Sequence, residues 1–128
     1  MQEIFLVHDQ QESPGLRKHF LEMSGYKVTL LSSGADCMSL LEERRPALVL
    51  LDVLIEGPNG FEICRAIRAR FPADEVPVVL GTAVYHSRLY RDEALAAGAQ
   101  AYVLRPIDPD DLVKIVNEVV STCAAAPA

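Results

Sequence analysis

Three short runs in this chain, Ile4–Val7, Ala47–Leu51 and Val76–Leu80, are apolar at every position apart from Pro77. A strand with one face in water alternates apolar and polar residues. A strand apolar on both faces has to be covered on both, which is the condition of a central strand in a parallel sheet. Two further β-type runs, Val28–Leu31 and Ala101–Leu104, complete a set of five.

Helical patterns fill the gaps. Ser13-Pro14 reads as a helix cap and first helical residue, with Leu16, Phe20 and Met23 on one face and Gly25 as the stop. A second helix is expected over Ala35–Arg44, with Met38 and Leu41 inward and Pro46 beyond its end. Asn59 and Glu62 have capping-box spacing, and Phe61, Cys64, Ile67 and Phe71 follow on one face. A fourth helix is expected to end near Gly98, and Asp108, Pro109 and Asp111 open a fifth. Five strand–helix units with right-handed crossovers predict an α/β fold, a doubly wound five-stranded parallel sheet of order 2-1-3-4-5, flavodoxin-like (βα)5.

The 128 residues suffice for one domain, expected over 1–122, with 123–128 as a tail or the start of a linker. A net charge of −6 argues against direct nucleic-acid binding, which needs a basic surplus. Cys37, Cys64 and Cys123 form no metal-binding spacing, and Cys37 and Cys64 fall on apolar helix sides, as small hydrophobes in a reducing cytoplasm. No apolar run approaches a membrane span and no leader is evident, so the expected location is cytoplasmic.

In such a sheet the site lies at the carboxyl ends of the strands, where strands 1 and 3 diverge. There the chain reads His8-Asp9, Asp52, Gly81-Thr82-Ala83 and Leu104-Arg105-Pro106. Two carboxylates close together favour a bound cation, and hard oxygen donors suit Mg²⁺. An ionised Asp can attack phosphorus, and a hydroxyl and a cation beside it can hold the phosphoryl oxygens. No Gly-rich phosphate loop follows strand 1 and no serine nucleophile elbow is present, which sets aside a nucleotide-binding protein or hydrolase of the same fold.

The segments Phe5–Asp9, Pro46–Val53, Gly57–Glu62, Pro77–Ala83, Ala97–Tyr102 and Arg105-Pro106 give residues 3–121 a clear likeness. The chain resembles the receiver domain of bacterial response regulators, the CheY-like superfamily. The resemblance implies that Asp52 accepts a phosphoryl group from a histidine kinase or phosphotransfer protein. It makes Asp9 a Mg²⁺ ligand, together with Asp52 and the backbone carbonyl of Leu54. Thr82 matches the hydroxyl that holds the phosphoryl group, Tyr102 the aromatic switch coupled to it, and Pro106 a cis-proline. The readout would be a helix 4–strand 5–helix 5 surface for an output partner or homodimer. Activity would be self-phosphorylation at most, without turnover.

Two departures strike the site. His8 stands where the family has an acid, so it is at best an outer-sphere group, and Mg²⁺ binding is expected to be weak. Arg105 replaces a lysine and is expected to pair with Asp52 at rest, competing with metal and phosphodonor. Glu56 adds an acid to the following loop, and Leu54 and Val84 are apolar where water would attack the acyl phosphate. Leu112, Val113, Ile115, Val116, Val119 and Val120 leave helix 5 with little polar face, as if a partner covered it. The alternative to a working phosphoacceptor is a degenerate receiver acting as a phosphorylation-independent interaction module.

Overall fold

The computed structural model describes residues 2–9 and 13–124. Its elements are β1 (Glu3–Val7), α1 (Gly15–Met23), β2 (Lys27–Leu31), α2 (Gly34–Glu43), β3 (Leu48–Asp52), α3 (Gly60–Arg70), β4 (Val78–Thr82), α4 (Arg88–Ala96), β5 (Ala101–Leu104) and α5 (Pro109–Ala124). All strand pairs are parallel and the sheet order is β2-β1-β3-β4-β5, as the alternation predicts.

The doubly apolar runs divide their residues between two cores. Phe5, Val7, Val49, Leu51, Val78 and Leu80 pack with α2, α3 and α4 on one face of the sheet. Ile4, Leu6, Leu48, Leu50 and Val79 pack with α1 and α5 on the other. Alternate pointing along each strand requires this division. Each such side chain, taken fully out of water, contributes on the order of 1.5–3 kcal/mol. Burial also pushes the Cys37 thiol up to about 12 and the Cys64 thiol up to about 11, so both remain protonated packing groups.

Local signals are honoured with adjustments. The Asn59 side chain accepts from the Glu62 amide at 3.0 Å, and the Ser33 hydroxyl caps α2 by accepting from Asp36. β4 starts at Val78 rather than Val76, because Pro77 has no N–H to give to a ladder. The face predicted for α1 holds at Phe20, which is half-buried, and fails at Leu16 and Met23, which are 62% and 70% exposed; the helix buries Leu21 and half-buries Arg17 in their place. α5 buries Leu112, Val116, Val119 and Val120 against the sheet and half-buries Val113 and Ile115, so its apolar character is largely consumed within the fold. It continues to Ala124, two residues into the stretch expected as tail, and 125–128 lie outside the described residues.

Gly60 sets the spacing between α3 and the end of β3. A Cβ there would stand 2.5 Å from the Asp52 carbonyl oxygen and 2.7 Å from the Val53 Cα, backbone that cannot yield. At the opposite end of the sheet the Arg68 guanidinium gathers four acceptors. It donates to the carbonyls of Phe71, Val76 and Gly98 and to the Gln100 side chain, at 2.8–3.1 Å. Gly98, at φ +101°, supplies the left-handed turn that exposes its carbonyl to Arg68.

At the edge of β1 the guanidinium of Arg44 holds the Glu3 carboxyl down to about 2 from its ordinary 4.5; burial opposes this and a hydrogen bond from Thr29 adds to it. A depressed folded-state pKa stabilises above the unfolded value, and the benefit disappears as pH falls through the folded one. The stability difference between wild type and Glu3→Gln is therefore expected to be full at neutral pH and to shrink between pH 4.5 and about 2. Because Arg44 is exposed, the difference should stay under about 1 kcal/mol. Urea titrations across that range check it; a difference that grows on acidification would contradict it.

Candidate functional site

The four strand ends meet as the topology requires. β3 ends at Asp52, whose register partner on β4 is Gly81; Thr82, one residue on, pairs with Leu104 of β5. The Asp9 amide donates to Asp52 Oδ2 at 3.2 Å, which joins the end of β1 to the end of β3. The Arg105–Pro106 peptide is cis, as expected. Its Arg105 amide donates to the Thr82 carbonyl at 2.8 Å.

Asp52 is 1% exposed. A buried carboxylate needs positive charge and hydrogen-bond donors around it. Arg17, in the first turn of α1, supplies both through a two-pronged fork: Nη1 donates to Oδ1 at 2.9 Å and Nη2 to Oδ2 at 3.2 Å. Arg105 Nη2 stands 3.6 Å from Oδ1, a charge contact outside hydrogen-bond range. The expected Arg105–Asp52 pairing is thus present but secondary. Arg17 side-chain exposure is 12% and that of Arg105 is 16%. The two arginines close the acceptor from solvent. Side chains form this cover, and beside them runs a groove of about 220 Å³ lined by Ser13, Leu16, Arg17, Phe20, Arg105 and Pro106, among others.

Apolar periodicity gives no sign of Arg17. The available signal is electrostatic: a cation in the first turn of a helix sits at the positive end of its dipole, a cost that implies a nearby anion. Arg17 follows strand 1 by ten residues, close enough to return to the strand ends.

The remaining predicted residues are placed as follows. His8 is half-buried; its ring Nδ1 lies 3.1 Å from the Asp9 carbonyl, and since a carbonyl only accepts, that nitrogen carries the proton. Leu54 is partly exposed beside the site, and Glu56 lies alongside Ser33 at the start of α2. Thr82 is buried, and its hydroxyl oxygen accepts from the amides of Val84 and Tyr85 at 3.0 and 3.2 Å. Tyr102 is half-buried. Its hydroxyl donates to the Tyr85 carbonyl at 2.6 Å, and its ring stacks on Phe61, which in turn stacks on Tyr90. Burial pushes the Tyr102 hydroxyl up to about 12, with Tyr90, Glu93 and Tyr85 adding to the effect. The hydroxyls of Thr82 and Tyr102 therefore hold the same short loop after β4.

The residues present can be set against a divalent cation. Asp9, Asp52 and the Leu54 carbonyl are hard oxygen donors of the right chemistry. Both Asp52 oxygens, however, are already engaged by one guanidinium. Among the described residues no three His, Cys, Asp or Glu side chains stand close enough to hold an ion. In this arrangement the site does not fit Mg²⁺.

Comparison with known proteins gives consistent matches. The family pattern of the response regulator receiver domain matches residues 4–117. The chain is 35% identical over 107 residues to the transcriptional regulatory protein AfsQ1 of Streptomyces coelicolor, covering 84% of this chain and 46% of that protein. It is 31% identical over 115 residues to the phosphate regulon transcriptional regulatory protein PhoB of Rhizobium meliloti, covering 90% and 50%. The chain thus spans about half the length of these curated relatives. A CheY-like response regulator receiver domain protein from Methanospirillum hungatei superposes with a TM-score of 0.86 at 24% identity, with 96% of each chain covered, which shows the shared fold.

The buried fork yields a stability prediction. Arg17→Leu removes the principal partner of a buried carboxylate and leaves, among the described residues, the Asp9 amide and the outer contact to Arg105. It is expected to destabilise the fold by about 3 kcal/mol at pH 7, seen as a lower urea midpoint with an unchanged slope. A loss below ~1 kcal/mol, the range of an exposed pair, would show that the fork contributes little.

Proposed function

The chain belongs to the response regulator receiver domain family, and on that premise we propose that it accepts a phosphoryl group on Asp52 and relays the event through the loop after β4. The observation that carries this is the convergence on one carboxylate of Asp9, Arg17 and Arg105, with Thr82 one residue beyond its register partner on β4. In the reaction an Asp52 oxygen attacks phosphorus, an O–P bond forms, and the donor's bond to phosphorus breaks. The electron pair leaves with the donor, which takes a proton from water. The new group raises the negative charge at the site, and the guanidiniums can answer it with charge-assisted hydrogen bonds.

The proposed donor is a histidine kinase or phosphotransfer protein acting in the cytoplasm. Attack requires that Arg17 first release the Asp52 oxygens. Thr82 would then exchange its two loop amides for phosphoryl oxygen, freeing residues 83–87 to move, and Tyr102, bonded to Tyr85, would follow. The proposed output surface, for a partner or a second copy, is α4 and β5 with the adjoining side of α5. Leu89 is 76% exposed and Leu95 and Leu104 also face solvent, so α4 and β5 carry more free apolar surface than α5. Apolar Leu54 and Val84 beside the site would slow hydrolysis of the acyl phosphate. The Arg17 fork also favours a second reading, in which Asp52 stays locked and the domain is a constitutive interaction module.

Acetyl phosphate with Mg²⁺, or beryllofluoride, separates the two. The expected result is the mass gain of one phosphoryl group, absent in Asp52→Asn, with NMR shifts at Tyr85 and Tyr102. No adduct at saturating donor, from wild type and from variants of Arg17, would leave the interaction module.

A further inference from the structure

We propose that Arg17 serves as the resting cation of the acceptor site, holding Asp52 in place of a divalent metal ion, so that metal binds only when this side chain swings out into the neighbouring groove. The inference deepens, and rests on, the reading of Asp52 as the phosphoacceptor.

Three observations support it. The first is saturation. A carboxylate has about four lone-pair sites. Asp52 receives hydrogen bonds from both Arg17 prongs and from the Asp9 amide, and Arg105 crowds the remaining side of Oδ1. Neither a metal ion nor phosphorus can reach an oxygen until one donor leaves. The second is identity of the donor that can leave. The Asp9 amide is fixed backbone and Arg105 stands outside hydrogen-bond distance of Asp52, so among the described residues Arg17 is the side chain whose departure frees both oxygens. The third is space. Arg17 lines the groove of about 220 Å³ and sits on α1, so its side chain can rotate outward without any change in the sheet.

The charge logic points the same way. Among the described residues two guanidiniums, Arg17 and Arg105, stand against the Asp52 carboxylate, beside the Asp9 backbone. A divalent ion added to this set meets two like charges; one added after Arg17 has withdrawn meets one. Arg17 therefore acts as a positioning residue that sets the metal requirement of the site.

The test is Mg²⁺ titration of wild type, Arg17→Gln and Arg17→Lys, followed by amide NMR shifts at Asp9 and Val53, with Mn²⁺ line broadening as a second readout. Circular dichroism checks that each variant is folded; Arg17→Lys keeps the charge and loses the fork, so it serves where Arg17→Gln does not fold. Arg17→Gln is expected to bind Mg²⁺ roughly tenfold or more tightly than wild type, the equivalent of 1.4 kcal/mol or more. Arg17→Lys is expected to fall between, and the gain should vanish in Arg17→Gln/Asp52→Asn. Equal Mg²⁺ affinity in wild type and both variants would overturn the inference. A gain in Mg²⁺ affinity in Arg17→Gln with no phosphoryl adduct from acetyl phosphate would support the metal role and overturn Asp52 as acceptor. An adduct in wild type together with unchanged metal affinity would do the reverse.

Discussion

A carboxylate buried at the end of the middle strand cannot be left without counter-charge. Taking an ion of that size out of water costs several kcal/mol even after the protein relaxes, so the surrounding structure has to return most of it. Here the return comes from three places in the chain: the residues just after β1, the first turn of α1 eight residues further on, and the distant loop after β5. The sheet order brings their ends to one point, and the Arg17 fork engages both oxygens of the carboxylate there. The same contacts that make the buried acid tolerable also cover it.

Legibility in the sequence followed the kind of signal involved. Strands buried on both faces were readable because apolar runs of four or five residues, bounded by turn signals, are too short for a helix. α3 was readable because its cap and its inward face are both local properties of Asn59–Phe71. The site residues contributed by strand ends came with the topology, since strand ends have a fixed place once the order is known. α1 was misread for a physical reason. Its inner face combines Leu21 and Phe20 with Arg17, whose stem packs while its head reaches an acid 35 residues on. A rule that looks for apolar residues on the core side passes over such a side chain and is drawn to Leu16 and Met23, which lie in solvent. α5 was overread in the opposite sense. Its apolar residues looked too many for one interface, yet sheet and α1 absorb most of them.

The switch elements are joined by contacts rather than by proximity alone. Thr82 grips two amides of the loop after β4, and the Tyr102 hydroxyl grips a carbonyl of the same loop. Phe61, which lies under both Tyr90 and Tyr102, ties α3 to α4 and β5 through ring contacts. The N-terminal end of α3 is itself held close to β3 by Gly60, the residue that permits its helix to approach the Asp52 backbone. A change of charge at Asp52 therefore has neighbours on both sides that are packed closely enough to register it.

The Arg68 clamp has a mechanical consequence. By fastening the close of α3, the approach to β4 and the turn before β5 to one rigid, planar group, it fixes the amino-terminal ends of the two strands whose other ends carry Thr82 and Arg105. Each strand is then a short beam anchored at its base. Its tip, at the end away from the clamp, carries the site residue.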